Sequence, residues 1–469
     1  MKKIITILLF SLLISAMQGT AQEQMTLQQA REMALKKNEN LKIAGKYLEK
    51  TKAQKAAVKT MRLPAFSAMG MGIYQNKDIE IELILPTQVP NPMTGQLEPN
   101  LMIDPSTGYP VMGSDGNPVF NMYAWLPLNI SLSGAYVAAL MLEQPFYSGG
   151  KISAGNKMAN IGIEMADENI ELERMNTVAA LDNAYWTHIS VQQKVKLAQQ
   201  AVEMLTELVQ KANNANEIGM SNRNDLLKAQ VEHNNAKLNL KKAKNGFELS
   251  RMNLCRLTGL PLNAEITAMD TTVTVEPLAE LALKVETISR RPEYQLLKKN
   301  VAMQEQNIRM ARADFLPTAG FQAAYTHIGG IKLSETNFSN SSMNVLASVK
   351  IPLFHWGEGI KKIKAAKIDK EIKELELEKN TELLQLEAEQ ARLNVKLAWE
   401  SIQMSETAVA QAEENLRITQ DNYEVGMETI TELLIAQTSW QKAYSEWIDA
   451  KTDYKIKETE WLKSIGNLR

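Results

Sequence analysis

The sequence predicts a mainly α-helical chain with a smaller β part, written twice in tandem. Three observations lead there. NEIGMSNRNDLLKAQ at 216–230 recurs as YEVGMETITELLIAQ at 423–437, with seven of fifteen positions identical. All fifteen prolines lie outside 146–260 and 353–469. Segments that alternate every second residue lie between these stretches, at matching places in both halves. Self-similarity at a fixed offset governs the architecture of a chain and is read first.

The offset of 207 carries Pro145-Phe146-Tyr147-Ser148-Gly149-Gly150 onto Pro352-Leu353-Phe354-His355-Trp356-Gly357, and Leu257-Thr258-Gly259 onto Ser464-Ile465-Gly466. Upstream an offset of 253 carries Asn38-Glu39-Asn40-Leu41 onto Arg291-Pro292-Glu293-Tyr294 and Leu63-Pro64 onto Leu316-Pro317. The offsets differ by 46, so the first half holds 46 extra residues between Pro64 and Pro145.

The elements follow in chain order. Lys2-Lys3, the apolar run Ile4–Ile14 and the small residues up to Ala21 have the order of a secretory signal peptide cleaved after Ala21. The run is shorter than the roughly 20 residues a helical span requires, and no later stretch reaches that length. Without Lys2 and Lys3 the chain carries 50 basic against 54 acidic residues, a net −4 that argues against a nucleic-acid partner. Cys255, the only cysteine, has no partner for an internal disulfide and reads as a small buried apolar residue. Residues 22–63 read as the N-terminal helices of repeat 1, and 64–144 as β-hairpin 1 with an insertion near 76–124. Residues 145–259 form helical hairpin 1, and 260–290 a linker. In repeat 2 a helix occupies 291–316, β-hairpin 2 occupies 317–351, and helical hairpin 2 occupies 352–469.

The proline-free stretches suit long helices, because an interior proline costs ~3 kcal/mol. Gly219 and Gly426 break each stretch once, giving arms near 152–215 and 222–258, then 358–422 and 429–465. The longer arms reach roughly 90 Å at ~1.5 Å per residue. Leu433, Trp440, Trp447, Tyr454 and Trp461 recur every seven residues, with Ala436, Ala443 and Ala450 three places after the first three. Repeat 1 has Leu226, His233, Leu240, Phe247 and Leu254, with Ala229, Ala236 and Ala243. A strict seven-residue period demands a supercoiled seam.

The β segments alternate apolar with small or polar residues: Met69, Met71 and Ile73; Ile130 to Leu142; Phe321, Ala323 and Tyr325; Met343, Val345, Ala347, Val349 and Ile351. Strands of about ten residues cross a bilayer when tilted, and Trp125, Phe146, Tyr147, Phe354 and Trp356 stand where interfacial aromatics belong. Four strands close no barrel, and an open edge cannot face lipid. The chain must therefore share its barrel with other copies; two copies make a filled eight-stranded barrel, three a twelve-stranded one with a lumen. The insertion segment 86–118, rich in Pro, Gly and Asn, reads as an irregular loop.

The paired hairpins, the two Gly-centred phrases ending in Ala-Gln, the Leu-Pro before each strand pair and the Pro-aromatic-Gly after it resemble the TolC-like outer membrane efflux proteins. The resemblance implies a homotrimer in the outer membrane of a Gram-negative bacterium, with a 12-stranded β-barrel continuous with an α-helical barrel crossing the periplasm. It implies a periplasmic adaptor and an inner-membrane transporter as partners, and it makes the chain a passive conduit expelling small toxic molecules. Type I protein secretion and metal-ion efflux use the same fold. A structural coiled-coil surface protein without a pore is the reading from another class, and it leaves the matched strands unexplained.

By the same resemblance the bends form the periplasmic tip, where the pore closes and the adaptor docks through Gly219, Met220, Gly426 and Met427. Glu428 and Glu432, four apart, are read as sharing one helix face at the constriction; Asp225 is the repeat-1 equivalent of Glu432, and Tyr423 matches a family tyrosine of the latch. The family's better-known pattern has a basic residue where Glu428 stands, and Arg223 is the candidate replacement cation. Nothing in the chain points to an enzyme, a metal or a cofactor: His188, His233, His327 and His355 are dispersed, and Gly149-Gly150-Lys151-Ile152 lacks the other residues of a phosphate loop.

Overall fold

The computed structural model describes residues 23–74, 76, 80–86, 88–121, 125–131, 134–219, 221–270, 272–276, 288–333 and 336–468. The expected signal peptide and Met220 lie outside them. The chain opens with a short strand β1 (Glu23–Met25) and the helices α1 (Leu27–Lys37) and α2 (Glu39–Thr60). Strands β2 (Ala65–Gly72), β3 (Glu80–Pro86), β4 (Gln88–Pro90), β5 (Leu97–Pro99), β6 (Trp125–Ser131) and β7 (Tyr136–Ser148) follow. Helices α3 (Lys151–Glu217) and α4 (Arg223–Thr258) form the first long hairpin. After β8 (Ile266–Ala268) come α5 (Pro292–Ala313), β9 (Thr318–Leu333), β10 (Thr336–Lys350), and the second long hairpin, α6 (Glu358–Glu424) and α7 (Ile430–Ser464). Two compact units result: a sheet unit of Ala56–Asn156 and Asn307–Lys364, and a helical unit of the remaining chain.

In the sheet unit four antiparallel strands run in the order β2, β7, β9, β10. The two hairpins share one register under the repeat. Ala65 faces Glu143, and adding 253 and 207 to these gives Thr318 facing Lys350, which is the observed pair. One sheet face carries Phe66, Leu140, Leu142, Tyr325, Met343 and Val345; the other carries Glu143, Gln322, Asn344, Ser348 and Lys350. Neither face is covered: β2 is exposed throughout and β10 almost throughout. The buried hydrophobic side chains described in this unit are three alanines, Ala139, Ala154 and Ala313. A soluble antiparallel sheet packs one face on a core; this sheet does not.

Four features differ from the sequence reading. First, the alternating segment from Ile130 to Leu142 is two strands, not one, because β6 turns away to pair with β3 while β7 pairs with β2 and β9. Among the described residues the sheet thus has six strands, with β6 paired to β9 at Ile130–Leu333 and Ser131–Lys332. Second, register places Met69 and Met71 opposite Ala139 and Val137, on the more polar face; Phe66 and Ala68 are the residues of β2 on the apolar one. Third, β7 runs through Pro145 to Ser148, which a register irregularity at Pro145/Tyr147 permits. Fourth, the segment 86–118 is not irregular. It folds on itself through β4–β5 and the bridges Leu101–Phe120, Ile103–Pro110 and Met112–Pro118, with Asp104 and Asp115 closing its turns onto Ser106 and Asn117.

In the helical unit α3 and α6 are 67 residues each, and α4 and α7 are 36 and 35. At ~1.5 Å per residue the longer arms extend about 100 Å. The heptad seams are the core. Leu433, Tyr454, Trp461, Ala436 and Ala443 are buried, as are Leu226, Leu254, Ala229 and Ala236. His233 is only half-buried, and its Nε2 meets the Thr206 hydroxyl at 3.1 Å. No described helix is long and apolar enough to cross a membrane. Strand β1 pairs in parallel with β8, Glu23 opposite Ile266, which ties the start of the described chain to the linker. Around this tie Leu181, Tyr185, Leu254, Cys255 and Val273 pack with α1.

Two buried polar groups join these helices. Asp182 is fully buried; Arg31 donates to it from Nε at 2.8 Å and Nη2 at 2.5 Å, and the Thr459 hydroxyl donates at 3.1 Å. Removing the cation strands a buried carboxylate, so Arg31→Met is expected to cost about 3 kcal/mol, read as a lower thermal midpoint of the helical signal. His188 is also fully buried, stacked on Phe247 with Nδ1 2.8 Å from the Ser250 hydroxyl. Burial, aided by the Arg251 charge, lowers its pKa to about 4. Between that value and the unfolded histidine's ~6.5 the unfolded chain binds the extra proton, so stability falls as pH falls through this window. A His188→Gln variant titrated from pH 7 to 4 is expected to lose that part of the pH dependence; an unchanged profile counts against the assignment.

Candidate functional site at the hairpin bends

Both bends are built alike. Gly426, at φ 78°, donates to the Tyr423 carbonyl at 3.1 Å, and Met427 donates to that of Asn422 at 2.8 Å. This pair of bonds closes a helix through a left-handed residue, for which glycine is suited. At the first bend Gly219, φ 77°, donates to Asn216 O at 3.1 Å, and Ser221 to Ala215 O at 3.2 Å. The returning helices start on matched caps. The Thr429 hydroxyl accepts from Glu432 N, and the Asn222 side chain accepts from Asn224 N.

The caps correct one expectation. Thr429 is extended, at φ −88° and ψ 158°, and α7 begins at Ile430. Glu428 therefore precedes the helix and does not share a helix face with Glu432. Glu432 and Asp225 are each the third residue of their helix, where a carboxylate lies near the positive helix end. Glu432, Arg223, Gly219, Gly426 and Met427 are exposed, and Glu428 and Asp225 half-buried.

The structure gathers a different charge set. Lys211 of α3 bonds Glu424 of α6 at 2.7 Å, joining the outgoing arms. Lys228 of α4 reaches Thr431 of α7 at 3.0 Å and Asp225 at 3.8 Å, joining the returning arms. Farther along, Lys194 meets Asp449 at 2.6 Å. Arg223 makes no ion pair among the described residues, so the cation beside Asp225 within the chain is Lys228. Tyr423 packs on the cluster of Leu205, Leu208, Leu226, Leu416, Ile430 and Leu433. Burial lifts its phenol above the ordinary value, the Asp225 charge adds to this, and Lys211 opposes it. Lys211 holds Glu424 below the ordinary carboxylate range through its hydrogen bond and charge. The sequence hid these lysines because neither is repeated: the equivalents of Lys211 and Lys228 are Ile418 and Ile435.

Between α4 and α7 runs a groove of about 680 Å³ beside the bends. Its walls pair repeat-equivalent residues, Leu227 with Leu434 and Val231 with Thr438, and Lys228 spans it. The exposed Leu227, Val231 and Ile435 give it an apolar face. The bend itself is testable. Gly426→Ala forces a side chain into the left-handed region at about 1 kcal/mol. Hydrogen exchange at the Met427 amide is expected to speed up by roughly fivefold, with the Leu433 region unchanged.

The chain is 24% identical over 338 residues to the alkaline protease secretion protein AprF of Pseudomonas aeruginosa, covering 70% of this chain and 68% of that one. It is 21% identical over 294 residues to TtgC of Pseudomonas putida, a probable efflux pump outer membrane protein, covering 62% of this chain and 60% of that one. The fold superposes on the Campylobacter jejuni CmeC outer membrane channel with a TM-score of 0.70 at 18% identity, over 94% of this chain and 85% of that one. The family model described as outer membrane efflux protein matches residues 30–260 and 283–467, and the chain belongs to that family of TolC-like outer-membrane factors.

Proposed function

We propose that the chain is the outer-membrane exit channel of a tripartite efflux pump, working as a homotrimer. The observation that carries this is the sheet: its four central antiparallel strands have both faces uncovered, and β2 and β10 have an unpaired edge among the described residues. Unpaired strand edges in lipid cost several kcal/mol per group, so copies share one barrel, and a conduit with a lumen takes three copies and twelve strands rather than two and eight. The strand pairs lie across the outer membrane with Phe66, Leu140, Tyr325 and Val345 toward lipid and Gln322, Asn344 and Lys350 toward the lumen. The helical hairpins stand in the periplasm and form the α-helical barrel of the conduit. Transport energy comes from an inner-membrane transporter, linked through a periplasmic adaptor that docks at the bends around Gly219, Met220, Gly426 and Met427. The likeness to AprF favours protein secretion as the second reading, with the same channel and a different cargo.

At the bends, threefold symmetry sets Asp225, Glu428 and Glu432 in rings around the pore. Carboxylate rings in an aqueous throat favour cations. Tyr423 fastens the second hairpin to the first, and Lys211 and Lys228 tie the two hairpins of one protomer. Planar-bilayer recording of the purified oligomer tests this. Cation-selective channels are expected, and Glu428→Ala with Glu432→Ala is expected to weaken the cation preference. Unchanged conductance and selectivity remove both residues from the throat. Susceptibility of a deletion strain to small toxic compounds, against loss of a secreted protein, separates the two cargo readings.

A further inference from the structure

The repeat makes the sheet's open edges legible. Within the chain, β7 of repeat 1 pairs on one side with β2 and on the other with β9 of repeat 2. The last residue of β7 that β2 supports is Glu143; from Gln144 to Ser148 it is held by β9 alone. Glu143 plus 207 is Lys350, and β10 ends at Lys350. The next five residues, 351–355, repeat 144–148 but have no strand assignment, because β10 lacks the neighbour that β7 has. They leave Ile351, Leu353 and Phe354 exposed, Leu353 at 90%. The repeat equivalent of that missing neighbour is β2, whose outer edge is equally unpaired among the described residues.

The junction into the helix shows the same gap. Gly149 sits at φ 62° against the end of α5, where an added Cβ would lie 2.5 Å from the Ala313 carbonyl oxygen and 3.0 Å from Leu316 Cβ. Its equivalent is Trp356, at φ 49° the only described non-glycine residue with positive φ, and it is 90% exposed. The equivalents of Ala313 and Leu316 are Thr60 and Leu63. The local turn is the same, since Leu316 N donates to Ala313 O at 3.2 Å and Leu63 N to Thr60 O at 2.8 Å. Met61 and Leu63 are exposed beside that turn.

We infer that β10 of one copy pairs with β2 of the next in the register of the β7–β9 seam, extending through 351–355, and that Trp356 packs there on residues 60–63 of the next copy. This rests on the shared-barrel reading above and specifies its seam. Shifting Leu142–Ala323 by 207 and −253 gives Val349 opposite Gly70; Leu140–Tyr325 likewise gives Ala347 opposite Gly72. A tryptophan cannot repeat the close approach of Gly149, so the seam between copies is wider at this level than the seam within one, and the indole fills the difference.

Oxidative cross-linking of the full-length chain in its membrane tests the register, the native Cys255 being buried. Val349→Cys with Gly70→Cys is expected to convert the single-chain band to linked dimers and trimers. Val349→Cys with Ala68→Cys or Gly72→Cys, two residues to either side on the same face, is expected to link poorly. Linkage through position 68 or 72 instead overturns the register and leaves the shared sheet standing. An oligomer with no linkage in any pair overturns the β10–β2 pairing, whereas a single-chain native mass overturns the shared barrel itself. Trp356→Ala and Leu63→Ala are each expected to lower the temperature at which the oligomer dissociates in detergent; no shift in either overturns the Trp356 contact.

Discussion

A β-strand edge cannot be left unpaired in hydrocarbon, and this constraint organises the chain. The chain's four central strands run in the order β2, β7, β9, β10, too few to close on themselves. The sheet's faces are uncovered as well: among the described residues of the sheet unit the buried hydrophobic side chains are three alanines. A chain that cannot complete its sheet alone has reason to be built from a repeated unit: the seam inside the chain and the proposed seam between copies are then variants of one solution.

The helical unit solves a different problem with the same economy. Its stability comes from heptad seams in which an alanine follows a large residue by three places, as buried Ala436 follows Leu433 and buried Ala443 follows Trp440. Such packing lets long helices approach closely without a globular core. Both bends end the outgoing arm on a left-handed glycine and start the return on a side-chain cap, so the two hairpins share one backbone plan. They are not interchangeable in charge. Lys211 with Glu424 and Lys228 with Thr431 join the hairpins of one chain, while the equivalents of the lysines are isoleucines. Repetition sets the frame, and unrepeated residues give each seam its own character.

The first β-hairpin departs furthest from its repeat. Its 46 extra residues supply β3 and β6, which join the sheet only at the end of β9, and a small set of nested turns between them. Their compact pairing makes this segment an ordered elaboration of one hairpin, placed where it leaves the common register of the four central strands undisturbed.

The sequence alone determined the duplication, the two long hairpins to within a few residues of their observed ends, and the presence of matched strands. These are encoded locally: proline exclusion, glycine at a bend, seven-residue and two-residue periods. Tertiary structure alone decided which side of a strand a residue occupies and which charges meet. Met69 and Met71 alternate as an apolar face should, yet pairing with β7 turns them to the polar side, because register belongs to two strands together. Glu428 and Glu432 have helical spacing, yet the extended Thr429 between them ends that relation. Lys211 finds Glu424 across 213 residues of chain, a pairing no local period announces, since it exists only once two helices have packed.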